Sequence, residues 1–176
     1  MALVKAQPPL NNGNVKNEAK AWAQMKPLQM TLEQKVLLLT GKDLWRTNAI
    51  PRLGVSRIKT SDGPVGVCGG IFTDRVSAAS APTGVSLAAT WDLSVIRDVC
   101  SVLIHEARSK VVDVLLGPTG NNPPPAKYHP MLIFMVCIPR TTLGGRNFEA
   151  YNEDPYLMGK IAGEFINRLQ DAGIGA

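Results

Sequence analysis

The alternation of apolar and polar positions becomes regular only after residue 30. Thr31 is followed three residues later by Gln34, which is the spacing of a capping box, and an apolar group follows at 36–39. This pattern predicts a helix that begins after Thr31 and ends at Gly41. Residues 1–30 are polar, rich in Asn and Lys, and without a period, so they predict a flexible N-terminal extension.

The first predicted strand covers residues 55–60, where β-branched side chains recur. It runs directly into the sequence Ser61-Asp62-Gly63-Pro64, which is typical of a turn. Because the turn follows the strand at once, Asp62 is predicted to lie at the carboxyl end of a strand.

A second strand and a helix are predicted next. Residues 85–89 predict a buried strand, and either Thr90 or Asp92 is suited to cap the helix that follows, which is expected to end near Lys110. The apolar run at 111–116 then predicts a strand that is buried on both faces.

The last predicted helix begins at Asp154 as N-cap and Pro155 as first helical residue, and it ends at Gly173. The succession of strand, helix, strand and helix predicts an α/β fold with parallel strands. The pattern alone does not distinguish a barrel from a doubly wound sheet.

Composition and charge exclude several classes of function. The chain has 176 residues, of which 45% are hydrophobic, and its net charge of +5 comes from scattered Lys and Arg residues without a basic run. Nucleic-acid binding is therefore not expected. Neither a metal, a cofactor nor a disulfide framework is expected, because the cysteines and histidines lack ligand spacing; they are Cys68, Cys100, Cys137, His105 and His129.

No membrane segment or secretory signal is expected. The longest apolar segment, at 131–138, is far shorter than the ~18 apolar residues of a membrane helix. The first 30 residues contain Pro8, Pro9 and several lysines instead of a continuous apolar stretch. A cytoplasmic location is favoured over secretion.

Seven sequence blocks resemble successive blocks of the fungal-type β-glucosidases of glycoside hydrolase family 3, in the order of that family. They are TLEQKVLLLTGKDLW at 31–45, IPRLGV at 50–55, SDGP at 61–64, ATWD at 89–92, LGPT at 116–119, LGGRNFE at 143–149 and EDPYL at 153–157. The N-terminal domain of that family is a (β/α)₈ barrel. The resemblance therefore implies that residues 31–176 form a partial TIM-type barrel, limited to the first three or four β/α units.

The resemblance also implies a reaction, the hydrolysis of terminal non-reducing β-D-glucosyl residues with retention by two carboxyl groups. The expected partner is a β-glucoside or oligosaccharide. The family's nucleophilic Asp, its acid/base Glu and a Lys-His pair that grips the sugar are all expected beyond Ala176, so no catalytic residue is assigned. The chain alone is expected to be inactive and, as an incomplete barrel, poorly stable or prone to aggregate.

Four residues are candidates for sugar binding by this resemblance. Asp62 matches an aspartate that accepts hydrogen bonds from glucose hydroxyls, and Arg146 matches an arginine that donates to them. Trp45 is a candidate for stacking on a sugar face, and Glu149 for orienting Arg146. The alternatives are an Asx-turn for Asp62, a surface ion pair with Glu149 or Glu153 for Arg146, and simple packing for Trp45.

Two features depart from the family. Cys68 stands where the family usually has an arginine, and a thiol does not replace a charged donor fork, so weaker sugar binding is expected. An atypical insertion at 120–135 separates two segments that are continuous in the family. An unspliced intron translated in frame is favoured over a genuine loop insertion, because residues 121–125 are Asn- and Pro-rich and 131–135 are apolar. The other functional interpretations are a non-catalytic saccharide-binding remnant and an unrelated α/β binding domain.

Overall fold

The computed structural model describes residues 12–69, 77–118, 138–139 and 141–176. The predicted insertion at 120–135 lies outside the described residues. The described residues divide into two compact units: one contains those up to Gly41 together with Thr47–Arg57, and the other contains Lys42–Arg46 and the described residues from Ile58 to Ala176. The domain boundary predicted at residue 30 thus differs from the division between the units.

The first unit is helical. It contains α1 (Asn12–Met25), a 3₁₀ turn at Lys26–Gln29, α2 (Leu32–Leu39) and a second 3₁₀ turn at Pro51–Leu53. The sequence predicts no regular element before residue 30, and α1 corrects this: residues 18–25 are almost all good helix formers, although they lack an apolar period. Met30 is buried with Ile50 and Leu53 in the core of this unit.

The capping box predicted for α2 is confirmed. The Gln34 amide donates to Thr31 Oγ1 at 3.3 Å, and the Thr31 amide donates to Gln34 Oε1 at 3.2 Å. The helix ends at Leu39, before the predicted Gly41, with Thr40 in an extended conformation. It ends early because the Asn48 amide group donates to the carbonyls of Leu37 and Thr40, at 3.0 and 2.9 Å, and so satisfies the end of the helix.

The second unit holds the strands, β1 (Thr60–Asp62) and β2 (Val114–Leu116), and they are parallel as predicted. The register pairs the first residue of β1 with Val114 and its last with Leu116. Gly175 then forms a parallel bridge with Val114, and its carbonyl accepts from the Leu115 amide at 2.9 Å. β1, β2 and the segment at Gly175 therefore lie side by side in sequence order and run parallel. The predicted parallel arrangement of the strands is thus confirmed.

Two predicted strands are corrected. The strand expected at 55–60 begins only at Thr60, since Val55 instead bridges back to Ile50. The strand expected at 85–89 is a helix, α3 (Gly84–Ala88). Its buried residues are Gly84, Leu87 and Ala88, which follow the i, i+3, i+4 spacing of a helix, and a short apolar run does not reveal this spacing clearly.

The long helices α4 (Leu93–Ser109) and α5 (Pro155–Asp171) pack over the strands and supply most of the core. Their predicted caps are confirmed: Asp92 accepts from the Ser94 amide at 2.7 Å, and Asp154 accepts from the amides of Tyr156 and Leu157. The fully buried residues of this core include Ile96, Cys100, Leu103, Leu115, Phe165 and Leu169.

Both long helices end in the same hydrogen-bonded turn, a Schellman motif. After α5, Gly173 has a φ of +80°, and the amide of Ile174 donates to the Leu169 carbonyl at 3.0 Å. After α4 the same position is held by Val111, with a φ of +54°, and the amide of Val112 donates to the Ala107 carbonyl at 2.8 Å. The second residue of each turn, Val112 or Ile174, is buried and leads into the sheet.

Candidate functional site

A cavity of about 910 Å³ lies at the carboxyl ends of β1 and β2. Its lining comprises the end of each strand with the turn that follows it, loop residues 78–80, and the pair Arg146 and Glu149. In α/β proteins with parallel strands, ligands bind at this edge of the sheet, because the loops that differ between proteins are attached there.

Asp62 is the last residue of β1 and is exposed at the cavity. The prediction that it lies at the carboxyl end of a strand is therefore confirmed. Ser61, directly before it, is fully buried, and its hydroxyl accepts a hydrogen bond from the Gly69 amide at 2.8 Å. The buried neighbour fixes the strand end and leaves the Asp62 carboxylate at the wall of the cavity.

Arg146 and Glu149 form an ion pair with two parallel hydrogen bonds. Arg146 Nε and Nη2 donate to Glu149 Oε1 and Oε2, each at 2.6 Å, across the short 3₁₀ helix Asn147–Glu149. The side chain of Glu149 is 11% exposed and that of Arg146 is 57% exposed. Glu149 is thus a largely buried support, while the guanidinium it holds remains open to the cavity.

Asp62 and Arg146, which both line the cavity, also interact electrostatically. The hydrogen bonds that Arg146 donates to Glu149 raise the pKa of Arg146, and the charge of the Asp62 carboxylate raises it further. Arg146 thus forms the ion pair with Glu149 and also lines the cavity. The two interpretations of this residue, an ion-pair partner and a donor at the candidate site, are therefore compatible. The cavity is thus lined by a carboxylate that accepts hydrogen bonds and by a guanidinium that donates them.

Trp45 lies in a different place from the other three candidates. Its carbonyl accepts from the amide and the hydroxyl of Thr60, at 2.8 and 3.2 Å, so its segment runs along the start of β1. The ring is half-buried and is not part of the cavity lining. Stacking of Trp45 on a sugar therefore stays an untested prediction.

Glu106 and Lys110, which the sequence pattern does not indicate, hold the cavity wall from the C-terminal end of α4. Glu106 accepts from the amides of Val67 and Ala79, and Lys110 donates to the Val67 carbonyl. On a helix, a Glu and a Lys four residues apart are typical of a solvated face, so their spacing gave no sign of this role. Cys68, which stands where the family usually has an arginine, is exposed at the same wall.

Within the described ranges, no three His, Cys, Asp or Glu side chains are grouped as a metal site would need. The helices in the same ranges include none with the length and apolar character to cross a membrane.

Comparison with known proteins gives the relatives of this chain. No protein-family model matches it. It is 45% identical to β-glucosidase B of Emericella nidulans over 148 residues, and 42% identical to a β-glucosidase of Rhizobium radiobacter over 149 residues. Each match covers 84% of this chain but 16% of the relative, so the chain spans about one sixth of the length of these relatives.

Solved structures agree with these relatives. A β-glucosidase from Kluyveromyces marxianus matches with a TM-score of 0.72 and 33% identity, over 87% of this chain and 16% of the other. β-Glucosidase 3B from Thermotoga neapolitana, in complex with glucose, matches with a TM-score of 0.68 and 30% identity, over 88% of this chain and 22% of the other. In sequence and in fold, the chain is a homologue of the β-glucosidases of glycoside hydrolase family 3.

Proposed function

We propose that this chain supplies part of the glucose-binding wall of a β-glucosidase that releases terminal non-reducing β-D-glucosyl residues with retention. One observation carries the proposal: Asp62 and Arg146 line one cavity at the carboxyl ends of parallel strands. A carboxylate accepts hydrogen bonds from two sugar hydroxyls at once, and a guanidinium donates to others. Their arrangement is suited to a ligand with several neighbouring hydroxyl groups.

The comparisons support the same substrate class. Among the structural relatives, β-glucosidases from Kluyveromyces marxianus and Thermotoga neapolitana are described in complex with glucose. In our proposal, β1, β2 and the segment at Gly175 are the first strands of a (β/α)₈ barrel. The carboxyl groups that attack the sugar and protonate the leaving oxygen lie outside the residues assigned here.

Within this proposal, Glu149 acts through Arg146. Its two hydrogen bonds hold the guanidinium plane in one orientation, and the remaining N–H groups are then free to meet a sugar. Cys68 contributes surface to the wall without a charged donor, so the proposed glucose affinity is lower than an arginine at this position would give.

Titration with glucose, followed by calorimetry, tests the binding proposal. We expect Asp62→Asn and Arg146→Lys each to weaken glucose binding about 10-fold or more, because Asp62→Asn removes the charged acceptor and Arg146→Lys removes the planar fork of donors. Glu153→Gln is the matched control, since Glu153 is an exposed carboxylate that does not line the cavity. Equal affinities of Asp62→Asn and Glu153→Gln would contradict the proposal.

A second assay separates the enzyme from a non-catalytic saccharide-binding remnant. In a longer protein that contains this chain together with the two catalytic carboxyl groups, release of 4-nitrophenol from 4-nitrophenyl β-D-glucopyranoside is expected for the enzyme and not for the remnant. Glucose binding without release of the phenol would favour the remnant. The interpretation as an unrelated α/β domain is excluded by the 45% identity to a β-glucosidase.

A further inference from the structure

Two chain segments that follow β1 form one wall of the cavity. Residues 63–68 and residues 78–80 both contribute to the lining, and we call them the first and second arms of the wall. The Ala81 amide, directly after the second arm, donates to the Val65 carbonyl at 2.7 Å. Gly66 permits their close approach, because a Cβ at this position would collide with the Ala79 carbonyl oxygen.

One carboxylate on α4 holds both arms. Glu106 Oε1 accepts from the Ala79 amide at 2.8 Å, and Oε2 accepts from the Val67 amide at 3.3 Å. The side chain of Glu106 is 16% exposed, whereas its neighbour His105 on the same helix is exposed to solvent. The carboxylate is therefore turned towards the wall and bonds to both of its arms.

Lys110, one helical turn later, completes the contact. Its ammonium donates to the Val67 carbonyl at 2.6 Å and to Glu106 Oε1 at 3.3 Å, and its side chain is 18% exposed. Both backbone polar groups of Val67, a fully buried residue, thus bond to this pair. Without the pair, these groups would be buried without partners.

The charge state of Glu106 suits this contact. Desolvation raises the pKa of Glu106, but hydrogen bonds from the amides of Ala79 and Val67 and from Lys110 outweigh it and lower the pKa. The side chain is therefore a carboxylate at neutral pH and accepts charge-assisted hydrogen bonds.

We infer that Glu106 and Lys110 are positioning residues, which set the separation of the two arms and so the shape of the wall that meets the sugar. That the ligand is a sugar rests on the proposed function, but the positioning of the two arms is a property of the described residues. Neither side chain lines the cavity. Any effect on a ligand must therefore act through the arms.

Hydrogen exchange with mass spectrometry tests the positioning. In Glu106→Ala, we expect the amides of both arms to exchange about 10-fold faster or more, while peptides from α5 stay unchanged. Glu106→Gln is expected to be intermediate, because its one carbonyl oxygen keeps one of the two amide bonds. Lys110→Met is expected to act mainly on the first arm, because the Lys110 ammonium bonds to Val67 of the first arm and to no residue of the second.

Arg97→Met is the matched control, because Arg97 also forms an ion pair from α4, but with Glu164 of α5, at 3.1 Å. It should leave the arms unchanged. Equal exchange in the arms of Glu106→Ala and the unaltered protein, or an equal effect of Arg97→Met, would overturn the inference. If Glu106→Ala does not fold, Glu106→Gln and Lys110→Met decide the matter by the same measurement.

Glucose titration of the same variants connects positioning to binding. Glu106→Ala is expected to raise the Kd for glucose severalfold, with partial rescue in Glu106→Gln and no change in Arg97→Met. Faster exchange of the arms with an unchanged Kd would overturn the link to the ligand. Absence of glucose binding by the unaltered protein would contradict the proposed function, whereas the exchange result would still decide whether the pair positions the arms.

Discussion

The turn after α4 holds a valine in a backbone conformation that costs free energy. Val111 has a φ of +54°, which is the left-handed region that L-residues with a branched Cβ rarely adopt. The turn is fully hydrogen-bonded, with the Val111 amide donating to the Arg108 carbonyl at 3.2 Å and the Val112 amide donating to that of Ala107. The bonds of the turn thus hold the valine in this conformation.

The expected gain from Val111→Gly follows from two opposing terms. The left-handed conformation costs an L-residue about 1–2 kcal/mol, and glycine removes this cost. Glycine also gives the unfolded chain more freedom, which opposes folding by about 0.5–1 kcal/mol. Because Val111 is 73% exposed, little apolar burial is lost. The two terms together allow a gain of about 0–1.5 kcal/mol, and we expect the free energy of unfolding to rise by about 0.5–1 kcal/mol, the middle of this range.

The same chain provides the reverse experiment. Gly173 occupies the equivalent position after α5, with a φ of +80°, and no atom lies within 4 Å of the place that a Cβ would take there. Gly173→Val should therefore lower the free energy of unfolding by about the same 0.5–1 kcal/mol, without a steric collision. Val111→Ala removes the branched side chain but keeps a Cβ, so it should give only part of the gain.

Urea unfolding followed by far-UV circular dichroism measures these differences. Val111→Gly should shift the midpoint upwards at unchanged slope, and the melting temperature should rise by about 1–4 °C. A variant no more stable than the unaltered protein would refute the reasoning. So would an equal gain in Val111→Ala, because the side chain and not the backbone conformation would then be responsible.

Three further predictions concern single side chains in the core and at the cavity wall. Burial raises the pKa of Tyr151, and its hydroxyl has no hydrogen-bond partner among the described residues. Tyr151→Phe should therefore raise the free energy of unfolding, measured by urea denaturation, by about 1 kcal/mol. A loss of stability would contradict this, because it would mean that the hydroxyl has a hydrogen-bond partner. Burial raises the pKa of the Cys100 thiol to about 12, whereas Cys68 is exposed. A thiol reagent at about pH 8 should therefore modify Cys68 and not Cys100, as measured by peptide mass spectrometry. Modification of both cysteines at equal rates would contradict this. The folded-state pKa of Glu106 is lowered, so its contribution to stability is complete above the ordinary value of 4.5 and disappears as the pH falls through the lowered value. Glu106→Gln should accordingly lose less stability than the unaltered protein between about pH 6 and pH 3, and an equal loss would count against the assignment.

The sequence predicts elements well where the determining contacts are local. Thr31, Asp92 and Asp154 cap helices through amides two or three residues away, so their roles are visible in a short window of sequence. The strand expected at 85–89 fails because five apolar or small residues fit a buried strand and a buried helix equally well. Packing of Leu87 and Ala88 into the core decides for the helix.

The candidate site was predictable only in part for a related reason. The position of Asp62 follows from the strand that precedes it, and that of Arg146 from resemblance to a family. The contacts of Glu106 join residues that are 27 and 39 positions apart, and no pattern within α4 reveals them. The role of Trp45 stays a prediction, since the sequence offers an aromatic ring near a motif and the structure places it outside the lining of the cavity.

The repeated turn after α4 and α5 also fixes the number of residues between each helix and the segment that pairs in the sheet. In both turns, one residue in the left-handed conformation is followed by one buried aliphatic residue and then by the first residue of the pairing segment, Asp113 or Gly175. Side chains alternate in direction along a strand, so a single inserted residue here would turn Leu115 outwards and its half-buried neighbours Val114 and Leu116 inwards. The turn thus works as a fixed-length connector, and evolution can vary its residues far more easily than their number.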